Sequence, residues 1–173
     1  MTKNEQIVYN KCQKIYEKID ETGICLFITY ILFEYFKEKD INVKVHIGFF
    51  HKKDQYDKIE PPIIHNWISY NSKKCDITAH FQQEGYSSAI YILDEIIGRT
   101  NPNVNLVLIN KNNAELYKDL VKKWEQTQPI LYKIAYTMIE KAAKSNDSSF
   151  LIEDINKYFD EGFYKRIEFI KSK

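Results

Sequence analysis

A chain of 173 residues with 44% apolar and 14% aromatic content is long and apolar enough for one domain with a substantial core. Its 25 lysines and arginines stand against 24 aspartates and glutamates, and the resulting net charge of +1 offers no electrostatic footprint for a nucleic-acid backbone or an anionic membrane, so neither partner is expected. The N-terminus is polar with no apolar signal core, and the longest uncharged apolar stretch, Gly23 to Phe33, is roughly 11 residues where a bilayer span needs about 18; a cytoplasmic location is the expectation.

From Asn4 to Ile19, apolar Ile7, Val8, Cys12, Ile15, Tyr16 and Ile19 recur at three- and four-residue steps, which predicts an amphipathic helix with Cys12 on its buried stripe. Asp20-Glu21-Thr22-Gly23 interrupts it, with Thr22 as expected N-cap of a second helix running from Gly23 to about Lys39. That helix is apolar nearly all round in its first turns and is expected to be the central buried helix. Alternation of Val43, Val45, Ile47 and Phe49 against Lys44, His46, Gly48 and Phe50 predicts a half-buried strand over Asn42 to Phe50, followed by a charged loop from His51 to Glu60.

Pro61-Pro62 opens a second strand, Ile63 to Tyr70, and Asn71-Ser72 turns it into a third, Lys73 to Thr78. Tyr86 to Ile97 is apolar but ambiguous between helix and strand, while the β-branched Val104 to Ile109 reads as a further strand. From Ala114 onward the pattern is helical, broken at Gln128-Pro129, at Ser145 to Ser149 and at Gly162. The predicted organisation is a core over 1–111 and an all-helical extension over 112–173 packed on it. The fold class is α+β, with a central helix on an antiparallel sheet.

The chemistry-bearing residues follow from these placements. The three cysteines, Cys12, Cys25 and Cys75, are odd in number and scattered, which fits a reducing compartment and no disulfide framework. A thiol in the first turn of a helix, as predicted for Cys25, meets unpaired N–H groups and the positive end of the macrodipole, which favour thiolate; an isolated cysteine is otherwise an ordinary buried residue. On the second strand, period-2 alternation puts His65 and Trp67 on one face and Ile64, Asn66, Ile68 and Tyr70 on the other. With a two-residue loop at Asn71-Ser72, Tyr70 pairs with Lys73, Trp67 with Asp76 and His65 with Thr78, so Asp76 becomes the diagonal neighbour of His65, roughly 7 Å away at Cβ. A thiolate, an imidazole and an orienting carboxylate make a nucleophile, base and orienter set for acyl transfer through a thioester, which needs no cofactor. Cys25, His65, Cys75 and His80 also have the donor atoms for zinc, but no Cys-x-x-Cys or paired-His spacing is present and the alternation turns Cys75 away from His65, so no metal is expected. His46, which could line the cleft, and His51 and His80, in predicted loops, are read as ordinary polar positions.

With those residues in place, the stretch from Thr22 to Thr78 resembles the transglutaminase-like, papain-related thiol superfamily. Gly23-Ile24-Cys25-Leu26 matches the opening of its central helix, Asp40 to Gly48 the strand after it, His65-Asn66-Trp67-Ile68 its His-x-Trp strand, and Cys75-Asp76-Ile77-Thr78 its Asp-x-Thr strand. The resemblance covers about a third of the chain. It implies a cysteine peptidase or a transglutaminase or deamidase acting on a peptide or protein substrate, with Cys25 as nucleophile, His65 as general base and acid, Asp76 as orienter, and Trp67, Thr22 and Gly23 against the substrate. Asp20, Glu21 and Thr22 stand where some branches carry an aromatic or glutamine oxyanion donor, which leaves the oxyanion to backbone N–H groups. The alternative expectation is a catalytically inactive fold of this kind that binds a protein partner through its C-terminal helices.

Overall fold

The computed structural model describes residues 1–21, 23–52, 62–79, 89–98 and 104–173. It is an α+β chain whose main sheet is antiparallel throughout. Helix α1 (Lys3–Tyr16) begins at a capping box in which Thr2 and Glu5 exchange side-chain-to-backbone hydrogen bonds of 3.2 and 2.7 Å, satisfying two of the donors that a helix start leaves orphaned. Lys73 Nζ reaches the same Glu5 at 2.7 Å and ties the helix start to the sheet.

Helix α2 (Cys25–Lys37) starts two residues later than its pattern predicts. Gly23 takes φ +70°, a conformation cheap for glycine, and breaks the helix before Cys25; Thr22, the expected cap, lies outside the described residues. Cys25, Thr29, Leu32 and Phe36 recur along one face and are buried, as are Ile28 and Ile31 beside them. The all-round apolarity of this helix has a structural cause. Its other face is covered by α5 (Glu161–Ser172) and the turn before it: Phe163 stacks on Phe27 with centroids 4.9 Å apart, and Phe159 and Phe163 meet Tyr30 edge-on at 5.6 and 5.5 Å.

Strands β1 (Lys44–Lys52), β2 (Ile63–Tyr70), β3 (Lys73–Cys75) and β6 (Val104–Leu108) form the sheet in the order β3-β2-β1-β6. Residues 89–98 resolve the ambiguity of the predicted Tyr86–Ile97 segment as a small hairpin of β4 (Tyr91–Ile92) and β5 (Glu95–Ile96), while 86–88 lie outside the described residues. His51 and Lys52, predicted to open a loop, continue β1 because Val104 and Asn105 of β6 pair with them. β3 is shorter than predicted. After Cys75 the chain leaves β2, and Asp76 exchanges backbone hydrogen bonds of 2.8 and 2.9 Å with Tyr91, so Thr78 never pairs with His65.

The C-terminal segment is not all helical, and it is part of the sheet. Helices α3 (Ala114–Lys122) and α4 (Pro129–Ser145) pack on each other, and Ser149–Phe150 forms β7, which pairs with Val45 and His46 of β1. The predicted break at 145–149 is present, since α4 ends at Ser145 and a turn leads into β7 at Ser149, while Gly162 does not interrupt α5. One apolar cluster runs from Val8 of α1 through Ile28, Phe49 and Met138 to Ile167 of α5, so the segment after residue 112 completes the core rather than being appended to it.

The turn between β2 and β3 sets the register that matters most. Asn71 and Ser72 both have positive φ, 49° and 63°, the geometry of a two-residue type I′ hairpin loop. Ser72 bears a cost there that glycine would not. Ser72→Gly is expected to raise unfolding stability by about 1 kcal/mol, read as a higher urea midpoint at unchanged slope; a lower midpoint would contradict the turn assignment.

Candidate active site

Pairing of Tyr70 with Lys73 and Ile68 with Cys75 puts Trp67 level with Asp76, the register that the sequence predicts. The consequence is a direct contact. His65 Nε2 lies 2.8 and 2.9 Å from the two carboxylate oxygens of Asp76, with both residues essentially fully buried. The Cys25 thiol acts on the same ring, adding to the raised basicity of His65. Cys25 is the first residue of α2, and its Sγ lies 4.0 Å from the carbonyl oxygen of Ile64, beside the stretch of β2 that β3 no longer accompanies.

Burial alone would depress the basicity of His65. The charge and hydrogen bond of Asp76, aided by Cys25, outweigh it and push the pKa up to about 9. Burial would likewise raise the Asp76 carboxyl, but the charges of His65 and Lys74 and their hydrogen bonds hold it below its ordinary value. The pair is therefore an imidazolium and a carboxylate buried together.

Lys74 is a member of the site that the sequence reading missed. Its Nζ sits 3.2 Å from Asp76 Oδ2, over the rings of Trp67 and Tyr91 at 5.0 and 4.9 Å. The register arithmetic that brings Asp76 onto the His65 face puts Lys74, two residues earlier, there as well. Trp67 is 5% exposed and belongs to a row of rings: His46 stacks on it at 5.5 Å, it stacks on His65 at 5.8 Å, and Phe50 closes on the far side of His65 at 4.6 Å. His46 donates or accepts at both nitrogens, each 2.7 Å from a serine hydroxyl, Ser148 and Ser69, and burial pulls its pKa down to about 4, so it is a neutral spacer in this row.

Gly48 faces His65 across β1 and β2. A Cβ there would lie 2.8 Å from the Val107 carbonyl oxygen and 3.2 Å from the Trp67 ring, so the glycine makes room for the indole. Gly23 is exposed, whereas Thr22 and His80 lie outside the described residues. Cys75 points away from His65, as alternation predicts. It accepts a hydrogen bond from the Leu93 N–H at 3.3 Å and meets Cys12, whose pKa is raised by that contact and by burial. Among the described residues no three histidine, cysteine or acidic side chains gather as metal ligands, and no helix is long and apolar enough to cross a membrane.

No protein-family model, curated protein or solved structure matches this chain.

The buried ion pair makes stability depend on pH with a definite sign. A His65 pKa raised from 6.5 to about 9 contributes stability that is complete below about pH 6.5 and is lost as pH rises through 9, whereas the lowered Asp76 contributes above about pH 4 and fails as pH falls through its folded value. Unfolding free energy of the wild type should therefore decline between about pH 6.5 and 9, and His65→Gln should flatten that decline. Parallel curves for the two proteins would show that His65 carries no such linkage. Gly48→Ala is expected to cost about 1–3 kcal/mol in the same assay, with a change in tryptophan fluorescence as Trp67 is displaced.

Proposed function

We propose that this chain is a thiol enzyme of transglutaminase-like or papain-like type, which transfers or hydrolyses an acyl group at a peptide or side-chain amide through a thioester on Cys25. The observation that carries the reading is the His65–Asp76 pair, bonded through Nε2 at 2.8 and 2.9 Å, with the Cys25 thiol acting on the same ring.

In this reaction the Cys25 sulfur, as thiolate beside the imidazolium, attacks the amide carbonyl carbon. The C–N bond breaks as His65 Nδ1 gives its proton to the departing amine, and the acyl group stays on sulfur as a thioester. His65 then takes a proton from water, for hydrolysis, or from an amine, for transfer, as that nucleophile displaces the thiol. Asp76 remains ionised throughout and holds the ring so that Nδ1 faces the sulfur. Among the described residues no side chain caps α2, and its first intrahelical bond runs from the Ile28 N–H to the Ile24 carbonyl; the N–H groups at the helix start are the donors offered to a developing oxyanion.

A second reading has its own support. Cys25 is 7% exposed and His65 and Asp76 are closed off from solvent, an enclosure that also suits a silent site in a fold that binds a protein partner through its C-terminal helices. The two readings differ in thiol reactivity.

Iodoacetamide at about pH 6 should alkylate Cys25 ahead of Cys12 and Cys75, and Asp76→Asn should slow that alkylation by at least about tenfold while the fold is retained. Cys25→Ala should abolish acyl-enzyme formation from amide or activated-ester substrates without unfolding the chain. Trapping of a thioester in the alanine variant, or labelling of Cys25 that is indifferent to Asp76, would refute the assignment.

A further inference from the structure

A cavity of about 240 Å³ lies between α1, the start of α2 and the end of α5, apart from the Cys25 site. Its walls are aliphatic: Ile15 and Ile19 from the first helix and its exit, Ile24, Ile28 and Ile31 from the second, and Ile170 from the last. Among the described residues no aromatic ring lines it, so none of them would stack on a planar ligand. Lys11, Lys14, Lys18, Lys171 and Lys173 line it as well. Lys171 has a carboxylate partner, Glu168 at 3.4 Å, and Lys11 rests over the Tyr35 ring at 4.2 Å. Lys14 has no ion pair among the described residues and Lys18 donates only to the Lys173 carbonyl oxygen at 3.4 Å, whereas the acidic residues of the lining, Asp20 and Glu21, are engaged by Lys173, and Glu21 also by Arg166.

The charges of Lys14, Lys18 and Lys171 bear on Lys11. Its pKa is held below the ordinary value first by burial and then by those charges, a repulsion that an anion beside them would relieve. A chain with net charge +1 gives no general reason for such a concentration of cations along one cavity. A volume below the roughly 300–1,000 Å³ of drug-sized sites suits a small ligand rather than a folded peptide segment, and aliphatic walls favour a hydrocarbon chain.

We propose that this cavity binds an aliphatic carboxylate, a medium-chain fatty acid, with its hydrocarbon on the isoleucines and its head group on the lysines. The inference does not depend on the Cys25 chemistry. Hydrocarbon contact with Ile15, Ile19, Ile28 and Ile170 supplies the hydrophobic gain, and Lys14 and Lys18 supply the charge that selects a carboxylate over an alcohol.

Calorimetric titration of the full chain with sodium decanoate, below its aggregation concentration, should give saturable equimolar binding, with decanol weaker. Lys14→Glu combined with Lys18→Glu changes two exposed side chains, should leave the melting temperature in place, and should weaken decanoate by about tenfold or more. Cys25→Ala should bind decanoate as the wild type does, which separates failure of this site from failure of the thiol chemistry. Absence of saturable decanoate binding, equal affinity in the double variant, equal affinity for decanol, or binding only to anionic phosphatidylglycerol vesicles would each overturn the proposal.

Discussion

The buried contact between His65 and Asp76 is the constraint to which the surrounding architecture answers. Two opposite charges held away from water are tolerated only when geometry and neighbours compensate their desolvation. Here the carboxylate meets the imidazole with both oxygens and receives Lys74 as a second cation, while the imidazole lies between Trp67 and Phe50 with Gly48 opposite. Each neighbour limits a different freedom of the pair. Lys74 keeps the carboxylate charged, the rings fix the plane of the imidazole, and the glycine admits the indole that flanks it.

Strand pairing brings the partners together and then separates them from the rest of the hairpin. The type I′ turn at Asn71-Ser72 sets the parity, and the switch of Asp76 from β2 to Tyr91 ends the ladder one step later. That switch leaves the far half of β2 unaccompanied by β3, and the start of α2 lies there with Cys25. The C-terminal segment supports this arrangement from two sides. β7 joins β1 at Val45 and His46, where Ser148 also bonds the His46 ring, and α5 lays Phe163 against the outer face of α2. A helix apolar on both faces can hold a precise position only if both faces are covered, so residues far along the chain help to hold the thiol in place.

Much of the site was legible because its determinants are local. Alternation over Ile63 to Tyr70, a two-residue turn and the order of Trp67 and Asp76 suffice to predict the His65–Asp76 diagonal, since side-chain direction in a strand repeats every two residues. The same rule contained Lys74, which went unread because a lysine on a short strand resembles a solvated edge residue. The end of β3 was misjudged for a different reason. Thr78 continues the alternating pattern, but pairing with Tyr91 competes for the Asp76 backbone, and competition between distant segments leaves no periodic trace. β7 escaped detection because two residues, Ser149 and Phe150, at the end of a Ser-Asn-Asp-Ser-Ser stretch carry no strand periodicity of their own.

By itself the sequence determined the α+β character, the amphipathic and buried helices, the central hairpin with its register, and the residues able to form a thiol, imidazole and carboxylate set. These depend on periodicity and turn chemistry, which act over a few neighbouring residues. Only the tertiary structure decided that Cys25 lies against β2 beside Ile64, that Lys74 bears on Asp76, that the C-terminal segment enters the sheet, and that isoleucines and lysines of three helices enclose a cavity. Those outcomes depend on contacts between segments many residues apart, where packing and desolvation, and not local conformational preference, select the partner.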